Sequence, residues 1–81
     1  MGKPVPHYWW DPVWDWNNNR IIGVAIESSY AEFSRVAFFP LGPDELYDIP
    51  KYQQMIEDLK AGRLDPRKLA AELKEKEATR G

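Results

Sequence analysis

The sequence predicts an α+β domain. A small antiparallel β-sheet, a hairpin or three-stranded meander, is expected over about residues 13–39, followed by a C-terminal helical hairpin at about 49–61 and 66–77. Three observations carry this. Residues 20–39 are β-branched and aromatic with partial alternation, residues 40–49 form a Pro/Gly/Asp connector, and residues 50–80 are charged with apolar residues at helical spacing.

Residues 1–12 read as an aromatic, proline-rich arm, with Asp11–Pro12 as a turn signal. Asn17–Asn19 is a second turn signal, since asparagine tolerates the left-handed conformation. Between the two turns, Val13–Trp16 can pair with residues 21–26 as a first strand. In RIIGVAIE, period two places Ile22, Val24 and Ile26 on one face and Ile21, Gly23 and Ala25 on the other. After Ser28–Ser29, YAEFSRVAFF offers Phe33, Ala37 and Phe39 on one face and Tyr30, Val36 and Phe38 on the other. Ser29–Tyr30–Ala31–Glu32 also fits a capping box, so a short helix over Tyr30–Arg35 competes with the strand. The strand is preferred because VAFF suits a pleated surface and ends at Pro40.

Asp48 can cap the first helix, with Pro50 in its first turn. Tyr52, Met55, Ile56 and Leu59 form its apolar stripe, and Gly62 supplies the stop. Asp65 caps the second helix with Pro66 at its first position, and Leu64 and Leu69 occupy the two positions of a hydrophobic staple. Ala70 and Leu73 continue that side. Beyond Leu73 only weak pairs such as Glu72 with Lys76 support the helix, so residues 78–81 are expected to fray.

At 81 residues the chain is one small domain with a thin core. It has no cysteine and one histidine. Disulfides, iron–sulfur clusters, a thiol nucleophile and a histidine-built metal site within one chain are thereby excluded. Any staple would be association with another chain. MGKPVPHYWW lacks a continuous apolar stretch of signal-peptide length, and no segment approaches the ~20 apolar residues of a membrane span. A cytoplasmic protein with no membrane contact is expected.

The strongest compositional anomaly is Tyr8, Trp9, Trp10, Trp14 and Trp16, which hold all four tryptophans of the chain. Tryptophan dominates binding hot spots. In a small domain, though, at least two of the four rings are expected to close over the sheet, leaving at least one for a partner. Trp14 and Trp16 share parity, so a strand would turn them to one side together. Their charged neighbours are mostly Asp11 and Asp15, which repel phosphate and disfavour stacking on nucleobases.

Asp15, Asn17 and Asn19 have the spacing that opens a calcium loop. Arg20 stands where that loop needs glycine, and Ile26 where it needs a bidentate carboxylate, so a polar turn is expected instead. His7 has only Asp11 nearby as an orienting carboxylate, Ser28–Ser29 has no companion base, and no glycine-rich phosphate loop exists. No catalytic residue, metal ligand or cofactor site is therefore assigned.

The two helices invite comparison with a DNA-binding helix pair, in which Arg63, Arg67, Lys68, Lys74 and Lys76 would face phosphates. Glu72, Glu75 and Glu77 interleave with them, and the net charge is −2. Residues 1–62 carry five basic and nine acidic side chains, residues 63–81 six and four. That basic excess is weak for a nucleic-acid binder. The expected function is a non-catalytic protein-binding accessory, a small subunit, inhibitor or adaptor. It would dock a protein partner, or a second copy as a homodimer, through the tryptophan segment. A nucleic-acid module on the C-terminal helices is the alternative.

Overall fold

The computed structural model describes residues 7–78; the arm's residues 1–6, and 79–81 of the expected fraying end, lie outside them. The fold is α+β. Strands β1 (Tyr8–Asp15), β2 (Arg20–Ser28) and β3 (Arg35–Pro40) form an antiparallel sheet in that order. Helices α1 (Ile49–Lys60) and α2 (Pro66–Ala78) follow as a hairpin, α1 lying mainly against β1 and α2 along β3.

Both helices begin as their sequences direct. The Asp48 carboxylate accepts the Lys51 N–H at 3.3 Å, with proline in the first turn of α1, and Asp65 accepts the Arg67 N–H at 3.0 Å. Gly62 separates the helices with φ +81°, a conformation that would strain a side chain. Tyr52, Ile56 and Leu59 are buried on α1, and Met55, Leu64 and Leu69 pack against the same core.

The sheet departs from the sequence expectation at three places. Asp11–Pro12, expected as a turn, runs through the middle of β1, paired with Ala25 and Val24. The Ser29 N–H donates to the His7 carbonyl at 3.0 Å. By alternation from that pair, Trp9, Asp11 and Val13 bond to β2, and Pro12 stands where an N–H would face outward. On an edge strand the missing donor therefore costs the ladder nothing. At the second place, Val13 pairs with Gly23 but Trp14 with Ile21, which leaves Ile22 as an extra residue in β2. The bulge reverses the expected faces. Ile21 packs against the core with Val24 and Ile26, while Ile22 lines the opposite face with Val13, Phe38 and Pro40.

A third irregularity skips Val36 between the pairs Ile26–Ala37 and Glu27–Arg35. Val36 is thereby buried in the core together with Ala37 and Phe39, not grouped with Phe38 as alternation predicts. The expected long strand from Tyr30 is also shortened. Ala31–Phe33 makes one 3-10 turn without a side-chain cap, Ser28 Oγ accepts the Tyr30 N–H, and β3 starts only at Arg35. Phe33 reaches the core from this turn.

One ring organises the helix-covered face. Tyr52 is 1% exposed and lies 5.7 Å from Trp10 and 5.6 Å from Phe39, ring centre to ring centre. It thus ties α1 to both edge strands across Val24 and Ile26, which are fully buried on β2. On the other face the Phe38 ring crosses Gly23, where an added Cβ would stand 2.4 Å from the ring and 2.6 Å from the Phe39 carbonyl oxygen.

Two stability changes are expected. Tyr52→Ala should cost about 3–5 kcal/mol, comparable with the whole stability of a small domain, so its urea midpoint should collapse toward zero. Gly23→Ala should cost about 1–3 kcal/mol, because a backbone oxygen as well as a ring must give way. A Gly23→Ala chain with an unchanged midpoint would contradict the close approach.

Candidate functional site

The five aromatic residues singled out in the sequence are not held as one cluster. Even-numbered residues of β1 face the helices, so Tyr8 and Trp10 pack inward, whereas Trp9 is on the opposite face. Tyr8 is buried in the core. Trp9 is 42% exposed, its indole N–H donating to Glu27 Oε1 at 3.1 Å. Trp10 is half-buried between Tyr52 and Tyr47, whose ring centre is 5.8 Å away. Trp14 and Trp16 are 44% and 85% exposed, in edge-to-face contact at 6.0 Å. Of the four tryptophans, then, only Trp10 joins the core, fewer than the two expected. A three-stranded sheet under two short helices covers one face over a limited area, and the end of β1 extends past it.

The structure adds residues that the tryptophan count did not reveal. Trp14 and Tyr47 line a shallow cleft of about 310 Å³ whose floor includes Ile21 and Leu41. Leu46, which precedes Tyr47 in the chain, is 90% exposed. Ile49, at the start of α1, is also exposed. The connector is held at this end of the sheet by Leu41, whose N–H donates to the Ile22 carbonyl at 2.8 Å. Arg20 ties the same region together, its guanidinium donating to the carbonyls of Ile21 (3.0 Å) and Leu41 (3.3 Å). The signal available in the sequence was DELYDI, an exposed leucine and tyrosine inside a connector otherwise made of turn residues.

The polar turn between β1 and β2 uses its own carboxylate. Asp15 accepts the Asn17 N–H at 3.0 Å and the Asn18 side-chain amide, and Asn19 takes φ 52°. Among the described residues no group of three or more His, Asp or Glu is placed to hold a metal ion. His7 and Asp11 are both on the strand path, about 13 Å apart at the extended rise per residue. Ser29 Oγ accepts the His7 N–H at 3.0 Å, and Ser28 Oγ is engaged by Tyr30.

The basic residues of the alternative reading are dispersed. Arg63 is clamped to Asp58, Nε to Oδ1 at 2.7 Å. This hydrogen bond, with a second from Gln54, holds the Asp58 carboxyl below the usual carboxylate range. Arg67 stands 4.0 Å from Glu32 and lines a groove with Lys74, Glu27 and Glu77, so cations and carboxylates alternate there. Lys68 is exposed one position round the helix from Arg67.

No protein-family model matches this chain, and neither a curated protein nor a solved structure matches it.

The Tyr8 hydroxyl makes the core sensitive to base. Burial, and then the nearby Tyr30, push its ionisation above the ordinary value. A raised value in the fold means that stability is fully present below the unfolded value, about pH 10, and is lost as pH rises through the folded one. Thermal midpoints measured from about pH 9 upward should therefore fall, and Tyr8→Phe should flatten the fall. An identical slope in the variant would remove Tyr8 from the account.

Proposed function

We propose that this chain is a non-catalytic protein-binding accessory that docks through the aromatic end of its sheet. The observation that carries this is the exposure of Trp14 and Tyr47 on one cleft, with Trp16 packed edge-to-face on Trp14 and the half-buried Trp10 against Tyr47. A contiguous apolar surface with aromatic anchors is costly to leave in water and is the usual centre of a protein contact. The site differs from the sequence expectation in its membership. Tyr8 and Trp10 support it from the core, Trp9 belongs to the other face, and Tyr47 joins it.

Further support comes from how the polar side chains are used. His7, Ser28 and Ser29 serve backbone hydrogen bonds at the sheet's other end. These hydroxyls thus have a structural task in the turn at that end of the sheet. Nucleic acid draws less support, because Arg63 and Arg67 already face carboxylates.

The test compares Trp14→Ala/Trp16→Ala with Trp9→Ala as a control on the opposite face. Each tagged chain is recovered from its own cell and what co-purifies is identified by mass. The double variant, whose lost rings are exposed, should keep its circular dichroism and lose its partner by about 2 kcal/mol or more. Sedimentation of the isolated chain tells whether that partner is a second copy. A folded double variant that keeps the wild-type complex would defeat the proposal.

A further inference from the structure

The aromatic end is also acidic. Its two segments, residues 14–19 and 42–49, contain Asp15, Asp44, Glu45 and Asp48 and no lysine or arginine. Two cations stand close by and offset part of this charge, Arg20, which lines the cleft, and Lys51. Arg20 points its guanidinium at two backbone carbonyls, and Lys51 holds its ammonium 4.7 Å over the Phe39 ring. Asp44, Glu45 and Asp48 are exposed. Glu45 and Asp48 each spend one oxygen on a local backbone N–H, which fixes the carboxylate in place without neutralising it.

This charge selects the occupant of the apolar surface. A second copy docking the same patch on itself would bring one net acidic end, four carboxylates beside Arg20 and Lys51, against another, a like-charge juxtaposition that disfavours a two-fold contact. A phosphate backbone is repelled for the same reason. Arginine meets both features at once, since its planar cation stacks on indole and phenol faces while its donors reach carboxylates. We propose, resting on the docking surface above, that the partner presents an arginine-rich segment. Its guanidinium groups lie against Trp14, Trp16 and Tyr47, and are drawn there by Asp15, Asp44, Glu45 and Asp48.

The test titrates the full chain, by calorimetry at low and moderate salt, with a short arginine–glycine–serine repeat peptide. A counterpart with glutamate for arginine serves as the comparison. The arginine peptide should bind and weaken as salt rises, and the glutamate peptide should give no heat. Trp14→Ala/Trp16→Ala should weaken binding about tenfold or more, the effect of losing hot-spot rings. Asp44→Asn/Glu45→Gln, which keeps the hydrogen-bonding shape, should weaken it a few-fold and flatten the salt dependence. Equal binding of the two peptides, no binding of either, or an unchanged affinity in both variants overturns the arginine proposal. If the peptide fails but the tryptophan variant still loses its co-purifying partner, the docking surface stands and only its charge selectivity falls. If the peptide binds and the variant keeps its native partner, the native contact lies elsewhere.

Discussion

Everything at the aromatic end depends on one buried contact, the wedge of Tyr52 between Trp10 and Phe39. A three-stranded sheet is stable only if one face is covered, and α1 covers it through this ring. Because Trp10 belongs to an edge strand and Phe39 to the other, Tyr52 sets the position of α1 across the whole width. The N-terminus of that helix then fixes where the connector must end. Tyr47, one residue before the Asp48 cap, is consequently brought against Trp10. The surface is an extension of the core: the ladder of rings starts fully buried at Tyr52 and passes through Trp10 to half-exposed Tyr47. Trp14 and Trp16 lie beyond.

How much of this was legible in the sequence follows from how local each determinant is. The helices were readable to within a residue at their ends because caps, prolines and the Gly62 stop act within one turn. The α+β class was readable for the same reason. The strand faces were not, because a bulge is a property of a pair of strands. Nothing in RIIGVAIE announces that Ile22 will be skipped; that is decided by which residues of β1 and β3 it must meet. Asp11–Pro12 failed in a related way. Its local chemistry favours a turn, and only the edge position of β1 makes a proline there harmless. The tryptophan segment was visible as an anomaly, but parity divided it. Trp9 went to one face, Trp10 and Trp14 to the other, and the companion Tyr47 came from a segment some thirty residues later.

The fold also shows how a thin domain manages what it cannot bury. Of its two sheet edges, β3 is flanked by α2, and β1 carries Pro12 where an outward donor would invite another strand. The aromatic end has no such cover. Its chain segments carry four carboxylates instead, beside Arg20, which bonds backbone oxygens in the cleft, and Lys51, which lies over a ring.

An acidic excess beside an apolar patch has two physical consequences that cannot be separated. It would raise the cost of bringing two copies of the patch together. By the same field it lowers the cost of bringing up an opposite charge. A purely protective border could be basic or acidic with equal effect, and mixed signs would protect less. Within the two segments the charges are all acidic, beside rings whose faces attract cations, which supports the proposed preference for a cationic partner. In that proposal, protection against self-contact and preference for a cation would rest on the same residues, Asp15, Asp44, Glu45 and Asp48.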